Sequence, residues 1–395
     1  MKARFSFAEK ANRLGVIMGN REPVQSRGVS RAGGLFTRRR VVAAACLLAL
    51  AATGLLSVYL LRLGPSANPR LGGIDAAHAV PDEQNAARDY AQLALNDTGA
   101  FLDPQLLAQN VQAATLAQPW RSVDFPEAAK WVQERQAIID ALLQAGRKPK
   151  CWFPLADGYR QSGGRFQVGY YGTLLLLRAA NNDLAEGRTE AGMEKLLCVL
   201  QMMEHYRSQM DLRDRYAGMS FASEGLKRLN RLLVTEKVPQ EWLARLEAAL
   251  PPVRDVRDRE LRQLQEIEGL RVRKYLPFRQ RLLHVFTAGM SSGQMRHINS
   301  AHLAEFRAAR ILLALRRHKD RTGAWPATLA EIEGQIPPEA LIDPLTKKPF
   351  VYRPTGDSLI LYNVGPNGID ESGTSGDDYR FWPLPQRWAG SVAYP

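Results

Sequence analysis

The sequence has few cysteines for its length, and this scarcity excludes several classes of protein. Its 395 residues include three cysteines, which form no CxxC pair and no cluster with the spacing of a metal site. So sparse a set argues against a disulfide-held secreted scaffold. Cys46 lies inside a hydrophobic run, which leaves Cys151 and Cys198 as the pair that could bond. Two separate thiols, one or both of them buried, are the interpretation we favour.

Recognisable catalytic motifs are also lacking. The sequence contains no GxSxG, no P-loop, no HExxH and no GxGxxG after a predicted strand. Among the six histidines, His302 stands three residues before Glu305, a spacing that suits a metal pair, but no further ligand accompanies them. Catalytic groups can be scattered along a chain, so an enzyme is not excluded. The sequence names no catalytic residue and no cofactor-binding residue.

The positive charge of the chain is concentrated before its first hydrophobic run. Residues 1–40 hold ten Lys or Arg against two Glu, a charge of +8, which leaves +5 of the total +13 for the rest. A second arginine-rich stretch, 254–281, is interleaved with Asp and Glu, a pattern typical of a solvated helix face with i,i+4 pairs. Nucleic-acid binding is therefore not expected.

A single hydrophobic run, residues 41–61, predicts a transmembrane helix. It contains no charged residue, and its length at the helical rise is roughly 31 Å, close to the hydrocarbon thickness of a bilayer. Arg38, Arg39 and Arg40 precede it directly, so the positive-inside rule places the N-terminus in the cytoplasm. We expect a single-pass protein of the inner (cytoplasmic) membrane with a periplasmic or extracytoplasmic body.

Three other interpretations of this run exist. Ala43 to Cys46 resembles a lipoprotein box, but its cysteine lies at the start of the apolar run, where lipid attachment would make no sense. A cleaved signal peptide has a hydrophobic stretch of about 7–15 residues and a small-x-small site soon after it, unlike this run. Thr37 to Val41 resembles a twin-arginine export signal, and that route stays open. Residues 1–40, which lack apolar periodicity, are predicted to be a disordered basic tail attracted to anionic lipid headgroups.

The fold class expected beyond the anchor is mostly α. Residues 62–84, rich in Gly, Pro, Ala and Asn, are predicted to be a linker, and residues 85–296 an α-helical body. Within it, Gly172 to Glu186 and Thr189 to Arg207 are joined by a tight glycine turn. This pair resembles a helical hairpin of the tetratricopeptide type, although there are too few repeats to predict a solenoid.

Residues 297–395 predict a small α+β module. A helix from about Ser300 to Arg321 is followed by Thr328 to Glu331, the spacing of a capping box. Two strand-like runs then flank a turn at Thr355-Gly356-Asp357, which predicts an antiparallel hairpin. A glycine-rich loop and a last short strand complete the pattern.

The order of motifs in this module resembles the C-terminal half of the major pseudopilin of type II secretion. The matching pieces are ALRRHKDRTGAWP, DPLTKKPFVYR, LYNVGPNG and GDD, in that order. They cover about a quarter of the chain. The whole layout is similar to a group of bacterial membrane-anchored helical proteins of unknown function that end in this module.

The resemblance implies a calcium site, because the terminal loop of the pseudopilin binds Ca²⁺. Asn367, Asp377 and Asp378 match its side-chain ligands, and Asp370 is a further candidate. Oxygen-rich loops suit Ca²⁺, which takes about 6–8 oxygen ligands. A Gly/Asn/Asp turn without a metal is the alternative, since these residues also favour tight loops.

The sequence also departs from the pseudopilin pattern. A pseudopilin joins its hydrophobic helix directly to this module and carries a glutamate five residues after its cleavage site, whereas here the run ends at Leu61 and Gly34 to Arg39 contains no such glutamate. We therefore expect a membrane-anchored envelope protein with a structural or protein-interaction role, beside a secretion system, that contacts the bilayer and protein partners. The alternative is an envelope enzyme of the hydrolase type with its site in the helical body.

Overall fold

The computed structural model describes residues 69–96, 109–156, 159–252, 255–275, 292–365, 367–374 and 378–384. These residues are mostly helical, as predicted, with a small antiparallel sheet near the C-terminus. The helices of the described residues are α1 Pro69–Ala77, α2 Ala87–Asn96, α3 Gln109–Ala117, α4 Pro126–Gln133, α5 Gln136–Gly146, α6 Tyr159–Ala185, α7 Thr189–Arg207, α8 Leu212–Thr235, α9 Gln240–Ala249, α10 Asp258–Tyr275 and α11 Ser292–Thr322.

Helices α6, α7 and α8 form the centre of the body, and α11 packs on the outer side of α8. The predicted helical hairpin is confirmed: α6 and α7 are antiparallel neighbours, and Gly187 between them has a φ of 79°, which L side chains rarely adopt. Glycines also set the spacing of these helices. A Cβ on Gly218 of α8 would come within 2.7 Å of the Arg207 backbone nitrogen at the end of α7.

Charged side chains lie inside this helical core. Arg228 of α8 is fully buried, forms an ion pair with Glu236 at 2.8 Å, and donates to Asn181 of α6. Arg271 of α10 is also buried and pairs with Asp211. The prediction of a solvated face for 254–281 is therefore wrong at Arg271, because a distant acid in the α7–α8 connection compensates its charge.

The terminal module is built on α11, which begins earlier than predicted, at Ser292. The capping box of Thr328 and Glu331 is confirmed and opens the 3₁₀ turn Leu329–Ile332; a second turn is Pro338–Leu341. Strands β1 Val351–Thr355, β2 Ser358–Asn363 and β3 Tyr379–Trp382 then form an antiparallel sheet in the order β1-β2-β3. The predicted hairpin is confirmed at Gly356, whose φ is 60°.

The module and the helical body share one hydrophobic core. The same cluster of buried residues runs from Tyr90 of α2 through α8 and α11 to Trp382 of β3. The described residues accordingly all belong to one compact unit. The predicted boundary between the helical body and the terminal module, at residue 297, falls within α11, so this helix contributes to both parts.

Arginines of α11 cap the C-terminal ends of the neighbouring helices. Arg310 donates to the carbonyls of Leu250 and Pro251 just after α9, at 2.7 and 3.0 Å. Arg316 donates to the carbonyls of Leu233 and Glu236 at the end of α8. The last carbonyls of a helix have no partner within the helix, so these guanidinium groups satisfy acceptors that would otherwise be orphaned.

The segment 62–84, predicted to be a linker, contains α1 in its described part. Leu71 is fully buried in a small cluster with Trp152, Leu155 and residues of α10. Asp75 accepts hydrogen bonds from the Trp152 indole at 3.1 Å and from the backbone N–H of Leu155 at 2.7 Å. These tertiary contacts hold a helix in a segment whose composition favours turns.

Two further expectations concern the anchor and the cysteines. The predicted membrane-spanning run 41–61 and the tail 1–40 lie outside the described residues. In the part of the chain that the structure describes, no helix is both long and apolar enough to cross a bilayer. Cys151 and Cys198 are free, buried thiols, and burial raises the pKa of Cys198 to about 12.

We expect Gly218→Ala to lower the free energy of unfolding by about 1–3 kcal/mol, because the new methyl group overlaps the α7 backbone. Gly72→Ala in α1 is the control, since its Cβ meets no atom within 4 Å. The control should be neutral or stabilising by up to about 1 kcal/mol through helix propensity. Urea unfolding of the full chain in detergent measures both, and equal stability of the two variants would contradict the close approach of α7 and α8.

Candidate functional site

All four predicted calcium ligands lie in the terminal loop between β2 and β3, and three of them are among the described residues. Asp378 is buried, and its carboxylate accepts hydrogen bonds from the backbone N–H groups of Gly365 at 3.2 Å, Glu371 at 3.0 Å and Gly373 at 2.8 Å. A carboxylate with three amide donors pulls the two ends of the loop together without a metal. Asp377 lies outside the described residues.

The other two predicted ligands are exposed and are also engaged within the loop. The Asn367 side-chain oxygen accepts from Ile369 N–H at 2.7 Å, and its amide donates to Glu371 at 2.9 Å. Asp370 accepts from the Tyr362 hydroxyl at 2.7 Å and from Ser372 N–H at 2.8 Å. The Tyr362 hydrogen bond is the largest of the effects that lower the pKa of Asp370.

The described loop residues are held by hydrogen bonds within the protein, and positively charged side chains lie beside them. In the described ranges, no three acidic, histidine or cysteine side chains come together as metal ligands. Two cationic groups also lie at the loop: Lys348 Nζ is 3.3 Å from the Gly368 carbonyl oxygen, and the Arg353 guanidinium is 3.7 Å from Asp370. Both would repel a divalent cation, and the Gly368 oxygen is already used as an acceptor.

A second polar cluster joins the sheet to the helical body. Glu305 of α11 is buried, and its carboxylate accepts from Ser223 of α8 at 2.7 Å and from Tyr379 of β3 at 2.6 Å. His302, one turn earlier on α11, lies with its Nδ1 3.0 Å from the same carboxylate. The metal pair considered for His302 and Glu305 is therefore a direct hydrogen-bonded pair.

The hydrogen bonds to Glu305 determine its charge state. Burial alone would raise the pKa of this carboxyl group. The hydrogen bond and charge of His302, together with the hydroxyls of Tyr379 and Ser223, outweigh burial and hold the pKa below its ordinary value of 4.5. Glu305 is thus an ionised group inside the protein, neutralised by donors from three different elements.

Polar contacts continue from this cluster into the module. The backbone N–H of Tyr379 donates to the Asn363 side chain at 3.2 Å, and the Asn363 amide donates to Asp343 at 2.9 Å. Asp343 in turn accepts from the backbone and hydroxyl of Thr346 at 2.9 and 2.6 Å, which closes the turn after Pro344. One connected path of polar groups therefore links that turn, the sheet and α11.

Sequence reasoning did not find Ser223 or Tyr379 as partners of Glu305. Ser223 is 82 residues before Glu305 and Tyr379 is 74 residues after it. The i,i+3 spacing of His302 and Glu305 was the only local signal of this cluster, and it does not distinguish a metal pair from a hydrogen-bonded one.

Four clefts in the described part of the chain offer room for a ligand, and in each of them the acidic side chain pairs with a base. The partners are Glu194 and Arg147 at 3.6 Å, Asp183 and Lys195 at 2.6 Å, Asp255 and Lys347 at 3.1 Å, and Glu260 and Arg215 at 3.4 Å. An ion-paired carboxylate is a poor general base, because its charge is already compensated. No histidine lines any of these four clefts.

Comparisons with known proteins add no constraint. No protein-family model, curated protein or solved structure matches this chain. The function therefore has to be inferred from the geometry described above.

We expect Tyr379→Phe to lower the free energy of unfolding by about 1–3 kcal/mol near neutral pH, because Glu305 loses one donor while staying buried. The pKa of Glu305 is depressed in the folded protein, so its stabilisation is present above 4.5 and is lost as pH falls through the folded value. The difference in the free energy of unfolding between wild type and Tyr379→Phe should therefore become smaller as the pH is lowered.

Tyr170→Phe is the matched control, since the Tyr170 hydroxyl has no hydrogen-bond partner among the described residues. Urea unfolding of the full chain, near neutral pH and below pH 4.5, measures the free energy of unfolding of wild type and both variants. A Tyr379→Phe effect that is the same at both pH values would show that Glu305 is not the group stabilised by this hydroxyl.

Proposed function

We propose that this chain is a single-pass inner-membrane protein whose periplasmic body has a structural or partner-binding role beside a secretion system. The observation that carries the proposal is the fusion of the terminal module to the helical body through α11 and Glu305. A module tied into the core in this way cannot act as an independent fibre subunit. It adds a fixed surface to a helical platform that the hydrophobic run 41–61 attaches to the bilayer.

An envelope hydrolase is supported less well. Its site would need a cleft in the helical body with converging polar groups that are free to react. In each of the four clefts described, the acidic side chain forms an ion pair with a Lys or Arg that lines the same cleft. Such paired side chains suit recognition of a surface or an ion more than acid–base chemistry.

The orientation in the membrane is tested by cysteine labelling of the full chain in spheroplasts. Val123 is 75% exposed, so Val123→Cys should react with a membrane-impermeant maleimide before lysis, whereas Ser26→Cys in the tail should react only after lysis. Cys151 and Cys198 are buried and should give little background. The opposite labelling order would overturn the proposed topology, and a mature N-terminus beyond residue 61 would favour the twin-arginine route.

The partner-binding role is tested by the size of the extracted protein. The chain extracted from its own membrane with a mild detergent should migrate as a larger assembly than the chain purified away from other proteins in the same detergent. Equal migration of the two samples would contradict a stable partner in the envelope.

We also propose calcium binding by the terminal loop, on the strength of the pseudopilin resemblance. Asn367, Asp370, Asp377 and Asp378 would supply the side-chain oxygens. Millimolar Ca²⁺ should then raise the melting temperature of the full chain, and Asn367→Ala should abolish that increase, with each protein compared with its own metal-free value. No shift in the wild-type protein would leave the loop as a hydrogen-bonded turn.

Asp378→Ala separates the two roles of the loop. Because three backbone N–H groups donate to Asp378, this variant should melt at a lower temperature even without calcium. A metal-free melting temperature equal to that of wild type would contradict the structural role of the carboxylate.

A further inference from the structure

A basic cleft lies where the connection between α7 and α8 meets the first turn of α10. It encloses ≈ 410 Å³ and is lined by Arg215, Arg257 and Arg259, with Glu260 as its one acidic residue. Three arginines against one glutamate give the lining a net charge of +2. Clefts of one sign of charge concentrate oppositely charged ligands, and this volume is that of a small-molecule site.

Two of the three arginines of the cleft have no counterion among the described residues. The side chains of Arg257 and Arg259 are exposed and form no ion pair or hydrogen bond with the described part of the chain. The neighbouring acid, Asp258, forms its ion pair with Arg296 at 3.2 Å. The Glu260 carboxylate forms an ion pair with the Arg215 guanidinium at 3.4 Å.

Arg215 is a buried donor that lacks a full set of acceptors. The residue is 5% exposed, and its Nε has no hydrogen-bond partner. Burial and the neighbouring charge of Arg207 both lower the pKa of Arg215. An anion in the cleft would reduce the positive potential around Arg215 and so favour its charged form.

The backbone at this position also favours an anion. Arg259 and Glu260 stand in the first turn of α10, an 18-residue helix. The N–H groups of a first turn have no intrahelical acceptor, and the helix dipole places partial positive charge there. Gln263, one turn further on, lines the same cleft and offers a side-chain amide donor.

We propose that this cleft binds a small molecule carrying a phosphate monoester. A phosphate monoester carries about −1.5 to −2 charges near pH 7, which matches the +2 of the lining, whereas a single carboxylate would leave half of it uncompensated. Guanidinium groups bind phosphate oxygens in a bidentate manner, which accounts for arginine at all three positions. Met210 and Leu264 supply an apolar wall for the rest of the ligand.

The ligand can come from two sources, a soluble phosphomonoester or the headgroup of an anionic lipid such as phosphatidic acid. Glycerol phosphate, titrated calorimetrically into the full chain in an uncharged detergent, tests the first source. The melting temperature of the chain in phosphatidylcholine nanodiscs, with and without phosphatidic acid, tests the second.

The test variant is Arg257→Gln with Arg259→Gln, and both side chains are exposed, so the fold should be retained. The matched control is Arg262→Gln with Arg321→Gln, which removes the same charge from exposed positions outside the cleft. Loss of two charge-assisted contacts should weaken glycerol phosphate binding by at least about tenfold in the test variant and leave the control unchanged.

Each outcome decides the proposal. Glycerol phosphate binding that is lost in the test variant supports a soluble ligand. A melting-temperature rise confined to phosphatidic acid nanodiscs, and lost in the same variant, supports a lipid headgroup. No response in either arm, or an equal loss in the test and control variants, overturns the proposal.

Discussion

The buried carboxylate of Glu305 is the constraint on which the arrangement of body and module depends. An ionised group inside a protein is costly unless donors surround it, and removing one partner of such a group typically costs several kcal/mol. Here the donors come from α8, from α11 itself and from β3. The helical core is therefore complete only when the last strand of the sheet is in place. The sheet, in turn, is positioned by a group that belongs to the helices.

Local patterns in the sequence were sufficient to predict most of the secondary structure. Apolar periodicity located the helices of the body, the spacing of Thr328 and Glu331 located a helical turn, and Gly356 located the β-hairpin. These signals depend on residues within a few positions of each other. The same is true of the terminal loop, where Asn367, Asp370 and Asp378 do fall together, although hydrogen bonds within the loop use their oxygen atoms.

The features that local patterns could not predict all depend on partners far away in the sequence. Arg271 was expected in solvent because acids surround it in sequence, but its partner is Asp211 in another connection. Residues 69–77 have the composition of a linker, yet the Trp152 region supplies the contacts that make them a helix. Two arginines of α11 satisfy carbonyls at the ends of α8 and α9, 60 or more residues away in the sequence.

The capping arginines have a consequence for the order in which the chain can fold. The ribosome makes α8 and α9 well before Arg310 and Arg316, so the carbonyl ends of these helices have no caps while synthesis continues. Until α11 has been made, these helix ends and Ser223 lack their final partners. A chain interrupted between α9 and Arg310 would never acquire them, so the last carbonyls of α8 and α9 would stay without these donors.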